Sequence, residues 1–365
     1  MRINLIGGSA YSTTGGIQAM NRQLVRELGA AGLLRQAFFL WDDAETAGAE
    51  GARLAQKGTV RLFGLKRLFF AWELILHAFR HPGDVWLCTH VNYAIVGLLV
   101  SFWRPRRVAV MLHAVELDLY FGPLKAFALR RAGLALVVSR YTGKKAIKLG
   151  VRPERVQVLL NGVDDPCPDG QPIPPAGEKK MVLFVGRMDE RYKGQLELLD
   201  AMQLLSARHP DLQLVFVGGG RSLDEWKVEA RTRNLADQVE FTGRISDERL
   251  QQIYDRTAVF AMPSENEGFG LVYAEAMAHG VPCIGSDRDA AGEVILDGET
   301  GFCVPAGNST ALADAISTLL KSPALREKMG RAGRRRFEEK FTASQYRRRL
   351  LATMRDWQTA LPGTP

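Results

Sequence analysis

The feature that most constrains the fold is an alternation of short apolar runs with longer amphipathic segments, which occurs twice along the chain. In the first half, runs rich in Val, Leu and Ala, such as residues 107–113 and 134–139, predict buried strands. Segments between such runs, for example 17–31 and 139–149, predict helices. Strands that alternate with helices form a parallel sheet with helices on both faces. The sequence therefore predicts an α/β fold.

A polar break separates the two alternating halves. Residues 164–180 contain five prolines and two glycines without apolar periodicity, which is typical of an interdomain linker. The 365-residue chain is also long enough for two domains. We expect one domain over residues 1–165, a second over 166–341, and a terminal helical segment, 342–365, that crosses back onto the first. Ligands would bind in a cleft at the carboxyl ends of the strands.

Composition indicates a globular protein of a reducing compartment. Apolar residues make up 46% and charged residues 24% of the chain. The longest apolar run, residues 91–103, is shorter than the roughly 20 residues that span a bilayer. The opening run, residues 3–6, is too short for a signal peptide. The cysteines have no metal or redox spacing, so we expect a cytoplasmic protein.

The net charge of +8 is unevenly distributed. Residues 1–165 contain 22 Lys and Arg against 12 Asp and Glu, whereas residues 166–341 contain 22 against 27. A basic first half suggests an anionic partner, such as a membrane surface, a lipid-linked diphosphate or nucleic acid. No nucleic-acid-binding motif is recognisable, so we expect no nucleic-acid partner. A solvated basic face without any partner is the alternative interpretation.

The most informative motif is E-G-F-G-L-V-Y-A-E, which runs from Glu267 to Glu275. It places two carboxylates around a glycine-containing turn and the start of a helix. Gly268 and Gly270 allow a backbone to approach a ligand closely, and amides at a helix start favour an anion. Carboxylates on each side can accept hydrogen bonds from hydroxyl groups. The combination suits a sugar nucleotide.

A glycosidase with two catalytic carboxylates is the competing interpretation. Eight residues along one helix would separate the two backbones by roughly 12 Å. Glycosidases hold their carboxyl groups about 5–5.5 Å or about 6.5–9.5 Å apart. The spacing therefore favours a transferase.

The motif resembles the Glu-x7-Glu signature of retaining glycosyltransferases of the GT-B fold, in particular the large bacterial family 4. The resemblance implies two Rossmann-like domains, the first binding the acceptor and the second the donor. It also implies that Glu267 binds the hydroxyls of the donor sugar and that Glu275 binds those of the ribose. Phe269, Gly270 and Leu271 would line the sugar and phosphates.

A second motif, G-R-x5-K-G, follows the strand predicted at 181–185. Arg and Lys near a helix start suit phosphate oxygens, and fixed cations stabilise charge that develops on a leaving group. The resemblance assigns Arg187 and Lys193 to the donor diphosphate. It also places Gly218 and Gly219 beside the nucleotide, although a tight turn could be their entire role.

In the first domain, Gly15 and Gly16 open the first helix, and their amides could contact the donor phosphate. Asp42 and Asp43 follow the second strand, where an acidic residue binds ribose in dinucleotide-binding proteins. The G-x-G-x-x-G fingerprint is absent, however. The glycine-rich loop of the resembled family is therefore the preferred interpretation.

Four further side chains are candidates at the carboxyl edge of the first sheet. His113 ends a predicted strand, and the resemblance places such a histidine beside the donor sugar. Glu116 and Asp118 follow closely and could contact the acceptor, although solvated loop acids are an equal alternative. Ser139 is also an acceptor candidate, but a helix cap alone would explain it.

We expect neither a metal nor a cofactor. The sequence Asp287-Arg288-Asp289 superficially resembles the Asp-x-Asp metal motif of the other main glycosyltransferase fold. That fold has one α/β domain, whereas this chain predicts two, so the match is interpreted as chance.

The segment 65–81 is apolar around much of its predicted helix and has basic residues at both ends. It is either a core helix or an interfacial helix on anionic lipid. Its position between two predicted strands favours the core.

The predicted function is a retaining transferase that moves a hexosyl unit from a nucleotide-diphosphate sugar to a glycan or lipid-linked acceptor in bacterial polysaccharide or glycolipid biosynthesis. The protein would be cytoplasmic, with possible peripheral contact with an anionic membrane. A sugar-nucleotide epimerase of the same fold and a non-catalytic sugar-nucleotide-binding protein are the alternatives.

Overall fold

The computed structural model describes residues 2–13, 15–43, 45–102, 104–118, 122–167, 180–189 and 191–361. The chain folds into two units, one formed by Met1–Asn161 with Tyr346–Pro365 and the other by Gly162–Gln345. Most of the predicted linker, residues 168–179, lies outside the described residues.

The first unit is a parallel sheet with helices on both faces. Its strands are β1 (Ile3–Gly7), β2 (Leu34–Phe39), β3 (Val60–Leu62), β4 (Val85–Cys88), β5 (Val108–Leu112), β6 (Leu134–Val137) and β7 (Val156–Val158). Its helices are α1 (Gly16–Ala30), α2 (Gly48–Gln56), α3 (Arg67–Arg80), α4 (Ala94–Val100), α5 (Pro123–Arg131) and α6 (Arg140–Lys148).

The strand order β3-β2-β1-β4-β5-β6-β7 reverses direction between β1 and β4. Because crossovers between parallel strands are right-handed, α1 and α2 cover one face of the sheet and α3 to α6 the other. The core under α3 to α6 is one apolar cluster that includes Phe38, Leu74, Trp86 and Leu98. The reversal point is where open α/β sheets bind ligands.

The second unit repeats this plan. Its strands are β8 (Met181–Val185), β9 (Gln213–Val217), β10 (Val239–Gly243), β11 (Val259–Ala261), β12 (Cys283–Ser286) and β13 (Gly301–Val304). Its helices are α7 (Gln195–Ser206), α8 (Leu223–Thr232), α9 (Asp247–Arg256), α10 (Leu271–Ala278), α11 (Ala291–Val294), α12 (Ser309–Lys321) and α13 (Pro323–Lys340). The order β10-β9-β8-β11-β12-β13 reverses between β8 and β11. The predicted α/β fold with two Rossmann-like domains is confirmed.

The last helix, α14 (Ala343–Thr359), packs in the first unit from Tyr346 onwards. Tyr346, Leu350 and Met354 are completely buried, and the Trp357 indole donates to the carbonyl of Arg106 over 3.2 Å. An apolar stripe on α14 therefore holds the end of the chain on this unit.

The unit boundary differs from the predicted boundary at 165/166. Asp165 accepts two hydrogen bonds, of 2.7 and 2.8 Å, from the Arg334 guanidinium of α13. Val163 forms a bridge with Thr342. These contacts tie residues after Asn161 to the second unit.

Helix α3 differs from its predicted role as a core helix. Phe70, Leu74 and Ala78 are buried, but Leu68 and Trp72 on the opposite side are 89% and 57% exposed. A helix at the outer layer of a sheet buries one stripe only. The prediction that α3 is a core helix was therefore wrong for six of its ten apolar residues, which are exposed. In the described part of the chain, no helix is both long and apolar enough to cross a membrane.

Candidate functional site

The candidate site of the second unit lies where the strand order reverses. Gly186 and Arg187 follow β8, and the segment 262–270 follows β11. Since β8 and β11 are parallel neighbours, their carboxyl ends lie side by side. The Glu265 amide donates to the Tyr192 carbonyl over 2.8 Å, which joins the two segments.

Lys193 and Glu267 meet at this point. The Lys193 ammonium lies 2.9 Å from Glu267 Oε2, and the two side chains are only 15% and 19% exposed. Burial by itself raises the pKa of Glu267. The charge of Lys193 and hydrogen bonds from Lys193 and from backbone amides outweigh burial, so the pKa lies below its ordinary value. The site therefore holds a fixed cation beside an ionised carboxylate.

Asp289 anchors the segment that carries Glu267. Its carboxylate accepts hydrogen bonds from the Glu267 amide over 2.8 Å, the Ala291 amide over 2.9 Å and the Ser264 hydroxyl. Burial raises the pKa of Asp289 to about 6 against the opposing effect of these donors. The sequence interpretation of 287–289 as a chance match missed this anchoring role.

Gly270 sets the start of α10. It adopts φ +79°, and a Cβ there would lie 2.3 Å from the ring of Tyr273. Only glycine fits this position, because a side chain would meet both backbone strain and the ring. Gly270 has no side chain to cap the helix, and the Tyr273 amide already donates to the Gly270 carbonyl over 3.0 Å. The amides of Leu271 and Val272 are therefore the ones that this helix start offers to an anion.

Glu275 lies on α10, one turn after Leu271. Its carboxylate accepts a hydrogen bond from the Tyr254 hydroxyl over 3.0 Å. Burial raises the pKa of Glu275, and the Tyr254 hydroxyl only partly opposes this effect. The Tyr254 hydroxyl therefore holds the Glu275 carboxylate in one orientation.

Phe269 requires a correction. Its ring is 2% exposed and packs edge-on against Phe341 at a centroid distance of 5.6 Å. The ring is part of the core and does not line a sugar. Its backbone amide, which donates to Glu267, is the part that belongs to the site.

Gly218 and Gly219 follow β9, next to the segment after β8. Gly218 has φ +138°, and a Cβ there would lie 1.9 Å from the Gly186 carbonyl oxygen. This close backbone crossing explains Gly218 by packing alone. The Gly219 carbonyl accepts from the Met188 amide over 3.1 Å, so both glycines hold the segment that carries Arg187. Arg187 itself is exposed at the end of β8.

In the first unit, the loop between β1 and α1 also lies at a reversal point. Gly15 and Gly16 are exposed at the start of α1, and Gly15 has no side chain to cap the helix. Helix amides are thus available here as well.

Asp42 fixes this loop. Its fully buried carboxylate accepts from the amides of Ala10, Tyr11 and Ser12 over 2.7, 3.0 and 3.0 Å and from the Ser9 hydroxyl. The structure thus gives Asp42 a role in holding the loop. The glycine-rich run did not indicate this partner, although a buried Asp after β2 is the residue type that such amides need.

His113 follows β5 at the same edge of the sheet. Its Nε2 lies 3.0 Å from the Thr89 carbonyl oxygen, and its amide donates to the Glu116 carboxylate. The next residue, Ala114, has φ +91° and ψ −59°, a conformation that costs of order 1–3 kcal/mol outside glycine. Strain of this kind, held by buried surroundings, clusters at functional sites.

His90 was missed by the sequence interpretation. It follows β4, the neighbour of β5, and its ring stacks on His113 at 6.2 Å between centroids. Burial lowers the pKa of His90 to about 4, so the ring is neutral near pH 7. The signal was available, because C-T-H at 88–90 follows an apolar run just as M-L-H at 111–113 does.

The acceptor candidates receive structural roles. Ser139 is completely buried, and its hydroxyl accepts from the Thr142 amide over 3.1 Å as the cap of α6, so its acceptor role is corrected to a cap. Glu116 holds the His113 amide, and Asp118 is paired with Lys145.

Among the described residues, no group of three or more His, Cys, Asp and Glu side chains is placed to hold a metal ion. The carboxylate of Asp287 accepts from the Ala306 amide over 3.2 Å, and Asp289 points to the segment after β11. The absence of a metal requirement stays a prediction.

Two family models match the chain. The model described as Glycosyltransferase Family 4 matches residues 14–165, and the model described as Glycosyl transferases group 1 matches residues 170–336. The first match includes His113, and the second includes Lys193 and Glu267.

Individual relatives of this chain are also glycosyltransferases by name. The GDP-mannose-dependent alpha-(1-6)-phosphatidylinositol monomannoside mannosyltransferase of Mycolicibacterium smegmatis is 33% identical over 269 residues, which are 68% of this chain and 70% of that protein. The phosphatidyl-myo-inositol mannosyltransferase of Mycobacterium leprae is 40% identical over 173 residues, so the chain aligns with about half of that relative, 46% of each.

Among solved structures, HepE of Anabaena in complex with UDP-glucose superposes with a TM-score of 0.80 at 21% identity, covering 98% of this chain and 100% of that one. This likeness shows the fold. Together with the two family models and the mycobacterial relatives, it establishes that the chain belongs to the family 4 glycosyltransferases of the GT-B fold.

Proposed function

We propose that the protein is a retaining glycosyltransferase that moves a hexosyl unit, mannose in the first instance, from a nucleotide-diphosphate sugar to a lipid-linked acceptor. Its place would be in bacterial glycolipid or polysaccharide biosynthesis, at the cytoplasmic face of the membrane. The observation that carries the proposal is the pairing of Lys193 with Glu267 where the second sheet reverses. The printed names of the mycobacterial relatives support GDP-mannose and a phosphatidylinositol lipid as the substrates to test first.

In this proposal the donor diphosphate lies between the segment after β8 and the start of α10. Arg187 and Lys193 supply positive charge on one side, and the uncapped amides from Leu271 supply hydrogen bonds on the other. Glu267 is already ionised and accepts from hydroxyls of the sugar. Glu275, oriented by Tyr254, accepts from the ribose.

The reaction forms a bond between the acceptor oxygen and the anomeric carbon and breaks the bond between that carbon and the phosphate oxygen. With retention, attack and departure occur on the same face of the sugar. The acceptor hydroxyl passes its proton to the departing phosphate, whose growing negative charge is stabilised by Lys193 and Arg187. No protein nucleophile is needed in this scheme.

The test is incubation of the protein with GDP-mannose, UDP-glucose or ADP-glucose and vesicles that contain phosphatidylinositol, with and without EDTA. We expect a glycosylated lipid whose anomeric configuration, measured by NMR, equals that of the donor, and whose yield is independent of EDTA. Epimerised sugar nucleotide without transfer would contradict the proposal in favour of an epimerase. Binding without turnover would indicate a non-catalytic protein.

Two variants connect this activity to the site. Lys193→Ala should slow transfer by about 10²–10³-fold, the usual effect of removing one group that stabilises a transition-state anion. Lys227→Ala is the matched control, because Lys227 pairs with Asp224 on the exposed surface of α8. Equal rates for the two variants would remove Lys193 from the proposed site.

A further inference from the structure

Helix α3 carries two apolar stripes whose centres lie roughly 130° apart around the helix axis. Phe70, Leu74 and Ala78 form the stripe that is buried against the sheet. Four large apolar residues recur at spacings of four, three and four on the other side: Leu68, Trp72, Ile75 and Phe79. At 3.6 residues per turn, these four lie within roughly 60° of the helix circumference. Their exposed fractions of 89%, 57%, 45% and 67% leave a continuous apolar strip on the surface.

The strip continues onto the neighbouring helix. The ring of Phe79 contacts that of Phe102, just after α4, at a centroid distance of 5.0 Å. Phe102 is 40% exposed, and Leu99 on α4 is 53% exposed. Since α3 and α4 cover the same face of the sheet, these six residues form one surface, the α3–α4 apolar surface. Contiguous exposed apolar surface of this kind marks an interaction site.

The charges around the surface are mostly positive. Lys66, Arg67 and Arg80 are exposed at the two ends of α3, whereas Glu73 is the only acidic residue within that helix. Over residues 61–132 the sequence has 10 Lys and Arg against 4 Asp and Glu. An amphipathic helix with Trp, Phe and Leu on its outer side and basic residues at its ends suits the interface of an anionic bilayer.

We propose that the α3–α4 apolar surface docks the protein on an anionic lipid bilayer. The apolar residues enter the acyl boundary, and the basic residues contact lipid phosphates. This inference rests on the proposed function in one respect, since a lipid-linked acceptor explains why the enzyme needs the membrane. A second copy of the chain is a less suitable occupant, because two such surfaces would bring their basic ends together.

The experiment measures cosedimentation of the purified protein with phosphatidylcholine vesicles that either contain or lack phosphatidylglycerol. The wild type should bind the anionic vesicles and bind more weakly at high salt. The double variant Leu68→Ser/Trp72→Ser should bind at least about tenfold more weakly, since it loses two membrane-inserted side chains. The variant Arg67→Gln/Arg80→Gln should bind anionic vesicles about 25-fold more weakly, and its binding to neutral vesicles should not change.

The matched control is Leu204→Ser/Val228→Ser, which changes residues that are 46% and 56% exposed on α7 and α8 of the second unit. Its vesicle binding should equal that of the wild type. All the altered side chains are exposed, so the melting temperatures should stay the same, and transfer to a detergent-dispersed acceptor should be unaffected by the α3 variants.

Three results would overturn the proposal: no binding of the wild type to anionic vesicles, equal binding by the Leu68→Ser/Trp72→Ser variant, or a dimer in sedimentation equilibrium that this variant dissolves. The last result would assign the surface to a second copy. Vesicle binding that depends on α3, combined with no transfer from any sugar nucleotide, would refute the proposed function and leave the docking surface in place.

Discussion

The pair of Lys193 and Glu267 allows a quantitative prediction for Lys193→Met. Breaking a buried ion pair costs about 3–5 kcal/mol, whereas an exposed pair contributes about 0–1 kcal/mol. Because both side chains are less than one fifth exposed, we expect Lys193→Met to lower the free energy of unfolding of this unit by about 2 kcal/mol near pH 7. The reason is that the variant leaves a carboxylate in a largely buried position without its cation.

The difference in stability between the wild type and Lys193→Met should become smaller as the pH falls. In the wild type the pKa of Glu267 is lowered on folding, so the pair contributes stability above the ordinary carboxyl pKa of about 4.3. That contribution is lost as the pH falls through the lowered value. In Lys193→Met the burial remains while the main opposing charge is gone, so the pKa of Glu267 rises. The stabilities of the two proteins should therefore converge as the pH falls from about 7 to about 4.

Hydrogen exchange of peptides that cover β8 and β11 measures the local opening free energy of this unit. Lys180→Met is the matched control, because Lys180 and Asp211 form a pair in which the side chains are 57% and 71% exposed. Lys180→Met should lower the opening free energy by less than about 1 kcal/mol at every pH. The reasoning would be refuted by equal losses in the two variants, or by a loss in Lys193→Met that persists undiminished at low pH.

Three further predictions follow from the segments around the candidate site. The Asp289 carboxylate holds the segment after β11 best when it is ionised, and its pKa is about 6. The kcat/KM for transfer should therefore rise as the pH increases through about 6. Asp289→Asn should abolish that rise in the pH–rate profile. Asp42→Asn should lower the free energy of unfolding by about 2–4 kcal/mol in denaturant titrations, because three backbone amides lose a charged acceptor. Asp43→Asn should lower it much less, because the residues that donate to the half-buried Asp43 carboxylate, Glu45 and Thr46, are exposed. Gly270→Ala should lower the melting temperature and slow transfer, because it forces a side chain into a positive-φ position. Gly29→Ala, where a Cβ would lie in open space on α1, should stabilise the protein by about 0.5–1 kcal/mol. A pH profile unchanged by Asp289→Asn would contradict the first prediction, and equal losses of unfolding free energy in Asp42→Asn and Asp43→Asn would contradict the second. The third would be contradicted if Gly29→Ala were destabilising and Gly270→Ala were not.

Much of the fold could be predicted from the sequence, because the long elements have a clear apolar period. Strand β8 has the predicted bounds, and helix α1 is shifted by one residue from the predicted 17–31. The short elements could not be predicted in this way. Strand β3 is three residues with an Arg at its centre, and β13 begins with a glycine, so neither has a recognisable apolar run.

The candidate site was predictable to the extent that its residues follow strands. Arg187, Glu267 and His113 come directly after β8, β11 and β5 or a few residues later, where ligands of parallel sheets bind. The anchoring residues were not predictable, because Asp42 and Asp289 act through tertiary contacts with distant backbone amides. Phe269 and Ser139 show the converse error, since a pattern of residue types does not reveal that a ring or a hydroxyl is buried.

The central claim is that the reversal point between β8 and β11 binds the donor nucleotide sugar. Calorimetric titration of GDP-mannose in the presence of EDTA, with the wild type, Glu275→Ala and the exposed-surface control Glu240→Ala, tests it most directly. We predict saturable binding to the wild type and the control, and binding to Glu275→Ala that is weaker by about tenfold or more, the effect of about 1.4 kcal/mol of lost interaction. Unchanged affinity of Glu275→Ala would contradict the assignment of the site, and an absence of binding by GDP-mannose and by the UDP and ADP sugars alike would contradict the proposed chemistry.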